Sequence, residues 1–127
     1  MRFSALAGGA VQLVELEGQV GECDVVAVDS PRGLTVVTRH RVARNGLERD
    51  YLVFHGSLAR LGPSVRLGAK LGALALVGFV GGDPPGLVLD VRELRTAWTQ
   101  APADPRELES LVLGFAIDPR NVLPLRP

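Results

Sequence analysis

Residues 34–55 read LTVVTRHRVARNGLERDYLVFH, and this stretch decides the fold class. Two predicted strands, residues 34–42 and 47–55, flank Asn45-Gly46, a dipeptide that tolerates the left-handed backbone of a tight hairpin turn. Side chains alternate along the first run, which is typical of a strand. We therefore predict a long β-hairpin with His40 on one arm and His55 on the other.

The flanking sequence predicts further short strands that are separated by glycine and proline. Residues 10–16 and 23–28 are apolar runs upstream of the hairpin, and residues 87–94 form the last predicted strand. Residues 74–80 are apolar on both faces, which predicts a central strand that is covered on both sides. The expected fold class is all-β, as a small antiparallel sandwich or barrel.

The pattern changes after Trp98. Asp104 can cap free backbone amides, Pro105 suits a first helical position, and Glu107 completes a capping box. A short helix is therefore predicted over residues 105–113, followed by a proline-limited, extended tail. The 127 residues fit one domain, with a core at about 9–95 and the helix and tail at about 103–127.

Composition narrows the function. The 14 basic and 14 acidic residues cancel, so no positive surface is expected for nucleic acid or for an anionic membrane. Cys23 is the single cysteine, which excludes an internal disulfide and a cysteine-based metal site. The sequence has no recognisable signal peptide or membrane segment, so we expect a cytoplasmic protein.

Residues 51–92 carry four short motifs in a defined order. They are Tyr51-Leu-Val-Phe-His55-Gly-Ser-Leu58, Val65-Arg-Leu-Gly68-Ala-Lys-Leu71-Gly72, Val77-Gly78-Phe-Val-Gly81 and Gly86-Leu-Val88-Leu-Asp90-Val91-Arg92. This order resembles the LytM/lysostaphin-like zinc peptidoglycan endopeptidases, whose motifs are Tyr-x-His-Leu, Val-x-x-Gly-x-x-Leu/Ile-Gly, Gly-x-x-Gly and His-x-His-Phe-Glu-Val-Arg. The resemblance implies a bacterial β domain of the LytM peptidase type, with an open groove along the last strand.

The resemblance also implies what this chain lacks. In the family, zinc is held by an upstream His-x-x-x-Asp motif and by the second His of His-x-His, with water as the fourth ligand. No His-x-x-x-Asp occurs here, and Gly86 and Val88 stand at the His-x-His positions. We expect no metal and no cofactor. His55 is then a vestige of the family's non-ligand catalytic histidine at the sheet rim, and His40 a solvated strand residue.

These absences favour a non-catalytic module over an enzyme. We expect a pseudopeptidase that binds or scaffolds a protein partner, or self-associates, with a link to cell-wall or cytoskeletal organisation. Contact is expected through an edge strand or through a groove formed by Tyr51, His55, Gly86, Val88 and Asp90. The proline-rich tail is another expected occupant of that groove.

Two other hypotheses remain open. One is a carrier or phosphotransfer domain on a related lipoyl/biotinyl-type barrel, which would use Lys70 or His55 as its acceptor. The other, less favoured, is residual peptidase activity. Neither nucleic acid nor a membrane is an expected partner in any of these cases.

Overall fold

The computed structural model describes residues 2–13, 15–28, 34–94 and 116–117. These residues form ten strands in two antiparallel sheets, which confirms the all-β fold class. The strands are β1 (Arg2–Ser4), β2 (Ala10–Gln12), β3 (Cys23–Val28), β4 (Val36–Arg44), β5 (Leu47–Gly56), β6 (Leu58–Leu61), β7 (Lys70–Leu71), β8 (Leu76–Val80), β9 (Gly86–Leu94) and β10 (Ala116–Ile117). The predicted helix at 105–113 and the proline-rich tail lie outside the described residues. None of the described segments is a helix long and apolar enough to cross a membrane.

β4 and β5 form the predicted hairpin. Asn45 and Gly46 take positive φ values of 52° and 75° at its turn, as a two-residue loop that follows the twist of the strands requires. Pairing is unbroken from Arg44↔Leu47 to Val36↔His55. This register fixes which side chains share a face, because residues directly opposite each other point to the same side of the sheet.

The larger sheet extends from the hairpin on both sides. Its strand order is β1-β9-β5-β4-β3-β7, and β10 also pairs with β9. β1 pairs with residues 86–88 and β10 with residues 91–92, so the two short strands share one edge of β9 while β5 pairs with the other. β9 is therefore held along both edges, and its side chains have fixed directions.

The smaller sheet, with strand order β2-β8-β6, covers one face of the larger sheet. Val11, Val77 and Val80 of the smaller sheet pack with Val25 and Val36 of the larger sheet in one buried cluster. Full burial of a valine contributes about 1.5–3 kcal/mol to the free energy of folding. This cluster is therefore the main apolar contact between the sheets.

β8 is shorter and less covered than predicted. It does lie at the centre of its sheet, with Val77 fully buried. However, the strand begins only at Leu76, because Leu74 has a left-handed φ of 64° that interrupts the extended backbone. Leu76 and Phe79 are only half-buried. The prediction of a strand over residues 74–80 with cover on both faces is therefore wrong in extent and in burial.

The larger sheet has two faces that are used differently. The packed face lies against the smaller sheet and carries Thr38 and His55, which follow the register of buried Val36. The opposite face, here called the groove face, carries Phe54 and Asp90, which pair directly across β5 and β9. The placement of every candidate residue follows from this division.

Candidate functional site

A cavity of about 360 Å³ opens on the groove face, where β5 ends beside β9. Its apolar walls come from Leu34, Phe54, Leu58 and Val88. The β5–β9 register explains the grouping, since Gly56 lies opposite Val88 and thereby brings the end of one strand against the start of the other. The cavity thus lies along the last long strand, where the sequence places the groove.

Thr35 is the most unusual polar group of this cavity. Its side chain is fully buried, and its Oγ1 has no hydrogen-bond partner among the described residues. Gly56 forms the floor beside it: a Cβ there would lie 3.4 Å from Thr35 Oγ1 and 3.5 Å from Val88 Cβ. Because a buried hydroxyl without a partner costs about 1–3 kcal/mol, a partner for Thr35 would stabilise the protein.

Ser57 also lines the cavity, although it is not among the predicted groove residues. It links β5 to β6 with a left-handed φ of 63°, a conformation that is uncommon outside glycine and that tends to occur at functional sites. The motif contained a signal for it. In Tyr-x-His-Leu the histidine directly precedes the leucine, and here Ser57 directly precedes Leu58. Ser57, rather than His55, occupies that place beside the cavity.

His55 lies on the packed face and is 3% exposed. Its Nδ1 is 3.0 Å from the Val36 carbonyl oxygen, so this nitrogen carries the proton and donates it. Burial lowers the pKa of His55 to about 4, because desolvation disfavours the imidazolium form. The predicted position at the sheet rim is therefore wrong, since His55 is a neutral, buried side chain whose bond links β5 to β4.

His40 is fully buried, so the prediction of a solvated strand residue is also wrong. Its Nδ1 is 2.6 Å from Gln19 Oε1, and its Nε2 is 2.6 Å from Thr38 Oγ1. The amide oxygen can only accept, so Nδ1 donates to Gln19 and Nε2 accepts from the Thr38 hydroxyl. Burial, with a smaller effect of nearby His55, lowers the pKa of His40 to about 3.

Gln19 connects this histidine to the loop between β2 and β3. Its Oε1 accepts from the Leu16 N–H at 3.0 Å, and its Nε2 donates to the Gly21 carbonyl at 3.1 Å. These two bonds fix the orientation of the amide and hence the tautomer of His40. The histidine therefore has a structural role, because it ties the loop to the packed face.

The structure brings together only part of the predicted groove set. Val88 and Asp90 line the cavity, and Gly86 begins the same strand with its N–H donated to the Gly81 carbonyl at 3.1 Å. Tyr51 and His55 lie on the packed face of β5, so the thickness of the sheet separates their side chains from the cavity. A period of two along each strand accounts for this separation.

The described residues can be compared with the zinc site that the resemblance implies. In the part of the chain that the structure describes, no three His, Cys, Asp or Glu side chains are grouped to hold a metal ion. Val88, at the position where the resemblance implies the second ligand histidine, offers no donor atom. His40 is hydrogen-bonded through both ring nitrogens on the packed face, and His55 is turned to the same side.

Charged side chains on the groove face form ion pairs with one another. Asp50, which is 15% exposed, accepts from Arg39 Nε at 2.9 Å and from Arg41 Nε at 3.2 Å. Nearer the sheet edge, Lys70 Nζ lies 2.8 Å from Asp24 Oδ1. The cavity is therefore distinct from the cross-strand ion pairs, which lie on other parts of the same face.

A solved structure that the chain resembles is the catalytic domain of a variant of the prophage-encoded M23 protein EnpA from Enterococcus faecalis. The two chains are 20% identical with a TM-score of 0.54, and the match covers 94% of this chain and 73% of that chain. No protein-family model and no curated protein matches the chain. At this identity the likeness shows the fold alone, and it confirms the β architecture of the LytM peptidase type.

Proposed function

We propose that the chain is a non-catalytic LytM-like module that binds a protein segment in its groove. The observation that carries the proposal is the direction of two histidines. The strand register turns His40 and His55 to the packed face, whereas Val88 faces the cavity. Metal-assisted peptide hydrolysis needs a metal-activated water, and among the described residues no three His, Cys, Asp or Glu side chains are grouped to hold the metal. The groove still has a recess that is lined by both apolar and polar residues.

The chemistry of the cavity supports a binding role. Apolar walls gain free energy when a partner covers them, and a few polar groups fix the orientation of what binds. An extended protein segment suits such a groove, since it offers side chains and backbone amides at regular spacing. Scaffolding, a role in cell-wall or cytoskeletal organisation and a cytoplasmic location remain predictions from the sequence.

The carrier hypothesis has less support. Lys70 lies within β7, and its Nζ is hydrogen-bonded to Asp24. This ion pair raises the pKa of Lys70, through the hydrogen bond first and the charge of Asp24 second. His55 is 3% exposed, so a phosphoryl donor could reach it only if the sheets opened.

Site-specific photocrosslinking tests the proposal. A photoreactive amino acid is introduced at Val88, which lines the cavity, and in a matched variant at Leu74, which is 67% exposed and lies outside the groove. When cells that produce each variant are irradiated, we expect one discrete crosslinked product from position 88. We expect none from position 74. Equal labelling at both positions, or no adduct at 88, contradicts a groove that binds a protein segment.

A further inference from the structure

A second cavity, here called the hairpin pocket, lies at the tip of the β4–β5 hairpin, away from the groove. Its volume is about 210 Å³, and it is lined by Val42, Arg44, Asn45, Leu47, Arg49 and Tyr51. We propose that the hairpin pocket binds a carboxylate that is attached to a short aliphatic group, with Arg44, Arg49 and the Tyr51 hydroxyl as its donors. This inference goes beyond the proposed function and does not depend on it.

The strand register creates the hairpin pocket. Val42 lies opposite Arg49 and Arg44 opposite Leu47, and these four side chains point to the same side of the sheet as Tyr51. Val42 and Tyr51 belong to a buried cluster that contains no residue of the smaller sheet, and Leu47 is 59% exposed. The pocket therefore has an apolar floor at the open end of the packed face.

Two arginines stand beside this floor at diagonal positions on neighbouring strands. Such positions are roughly 7–8 Å apart, a distance that long side chains can bridge. Arg44 Nε and Nη2 donate to the Glu17 carbonyl at 3.2 and 3.1 Å, and Arg49 Nη1 donates to Glu93 Oε1 at 3.2 Å. The Nη1 of Arg44 and the Nε and Nη2 of Arg49 make no hydrogen bond with another described residue. Each guanidinium therefore keeps donors for a ligand.

Tyr51 supplies a third donor. The residue is only 9% exposed, and its hydroxyl makes no hydrogen bond with another described residue. The hydroxyl nevertheless stays accessible, because the fully buried polar atoms without a partner in the described part of the chain are Thr35 Oγ1 and Arg92 Nε. Since Tyr51 lines the hairpin pocket, a ligand can reach this hydroxyl and accept its proton in a hydrogen bond.

Charge selects an anion. Among the described residues that line the hairpin pocket, the charged side chains are Arg44 and Arg49. Glu17 compensates Arg44 only weakly, since its Oε2 is 3.8 Å from Arg44 Nη2 and its side chain is 73% exposed. The planar guanidinium group matches a carboxylate, which accepts two parallel hydrogen bonds. An ammonium would be repelled, and a neutral amide would gain less from two positive charges.

The floor and the volume of the hairpin pocket define the rest of the ligand. An aliphatic group over Val42 and Leu47 gains free energy from the apolar surface that it covers. A volume of about 210 Å³ lies below the roughly 300–1,000 Å³ that is typical of drug-sized ligands. At an interior packing density of about 0.74, a branched acid of a few carbon atoms, such as 3-methylbutanoate, fits this space.

The first test is an NMR titration of the full chain with 3-methylbutanoate at neutral pH. Saturable shifts are expected at the backbone amides of Asn45, Leu47 and Tyr51, with a dissociation constant in the millimolar range that is usual for so small a ligand. The matched probe, 3-methylbutanamide, has the same shape without the charge and is expected to bind about tenfold more weakly. Absence of saturable shifts with the acid, or equal binding of the two probes, overturns the inference.

Two further probes test the aliphatic group and the source of the carboxylate. Acetate lacks the branched chain and should bind more weakly than 3-methylbutanoate, because it leaves the apolar floor uncovered. Equal binding of acetate would show a site for a bare anion and would contradict the inference. N-acetyl-L-leucine represents the C-terminal residue of a protein. Tighter binding of this probe supports a chain terminus as the source, and weaker binding supports a free acid.

Variants with a matched control locate the contact. Arg49→Gln removes one donor group and should bind the acid about tenfold more weakly. Tyr51→Phe removes the hydroxyl and keeps the ring, so we expect weaker binding at an unchanged melting temperature. Arg41→Gln is the control, since it removes the same charge from the same hairpin but on the groove face, where Arg41 is paired with Asp50.

The pattern among these variants decides the outcome. We expect Arg41→Gln to bind 3-methylbutanoate as the parent does. If Arg41→Gln and Arg49→Gln weaken binding equally, net charge rather than the hairpin pocket attracts the acid, and the inference is wrong. Normal binding by Tyr51→Phe would likewise contradict a site with three donors.

Discussion

The packed face and the groove face of the larger sheet are formed by the same strands, but their buried polar side chains differ in whether they have hydrogen-bond partners. On the packed face, His40 is bonded to Gln19 and Thr38, and His55 to a backbone carbonyl. On the groove face, Thr35 is buried with no partner among the described residues. Satisfied polar groups stabilise a fold, whereas a buried polar group without a partner is costly and uncommon. The histidines therefore have a structural role, and recognition at the opposite face is our proposal.

The largest effect is expected from a charge placed between the sheets. Val77→Asp buries a carboxylate at a position with no exposed surface, at a cost of roughly 4 kcal/mol or more, which is much of the stability of a typical domain. Chemical denaturation should show a much lower unfolding midpoint than that of the parent protein. Leu74→Asp is the control, since Leu74 is 67% exposed and the same change there should leave unfolding almost unaltered. Similar stabilities for the two variants would mean that the sheets do not pack as described.

The next largest effect separates the two faces directly. His40→Ala leaves Thr38 and Gln19 without one of their partners, and His55→Ala removes a buried ring and its bond to Val36. Each should lower the free energy of unfolding by about 2–4 kcal/mol. Ser57→Ala on the groove face is the matched variant and should cost less than about 0.5 kcal/mol. A solvated His40 or a rim His55 would instead give losses as small as that of Ser57→Ala.

The fold was more predictable than the position of these side chains, and the reason lies in strand geometry. Asn45-Gly46 encodes its hairpin locally, so the turn and both arms could be predicted. Which face of an arm is packed depends on the smaller sheet, whose strands are distant in sequence, and a shift of one residue exchanges the faces. The direction of His55 therefore could not be obtained from its own neighbours.

The candidate site also combines residues that a local motif predicts with residues that only the tertiary fold brings together. Val88 and Asp90 could be assigned to the groove because the last motif covers β9 directly. Thr35 has no motif, and its burial arises only when β4, β5 and β9 come together. Ser57 did have a signal in its place before Leu58, but a histidine two residues earlier was the more conspicuous candidate.

Acid is expected to destabilise the protein through the same two histidines. The folded-state pKa values of about 3 for His40 and about 4 for His55 lie below the ordinary 6.5, so the unfolded chain binds protons first as pH falls. Stability is then complete above pH 6.5 and falls toward pH 4, by about 1.4 kcal/mol per pH unit for each histidine. Urea unfolding at intervals from pH 7.5 to 5 measures the slope.

A matched variant identifies the source of that slope. His55→Asn should lose about half of the change between pH 6.5 and 5, because one of the two buried imidazoles is gone. A parent protein whose stability does not depend on pH in this window would show that both histidines are protonated as easily in the folded state as in the unfolded state. The burial assigned to the packed face would then be wrong.

The smallest effect is expected at the exposed edge of the groove face. Lys70→Met removes the ion pair with Asp24, whose partners are 69% and 43% exposed. Exposed pairs contribute little to stability because water and salt screen them, so we expect no measurable change in melting temperature. Acylation or lipoylation of the parent at Lys70, detected as a mass increase that Lys70→Met abolishes, would favour a carrier domain instead.

We propose that the groove of this LytM-type fold has no zinc site, and the metal content of the purified protein decides whether this is so. Protein purified without chelators is incubated with excess zinc, passed through a desalting column and analysed for metal and protein together. We predict zinc far below one equivalent per chain, because Val88 faces the cavity and both histidines point to the packed face. A value near one zinc per chain that survives desalting would contradict the account and would restore peptidase activity as the leading hypothesis.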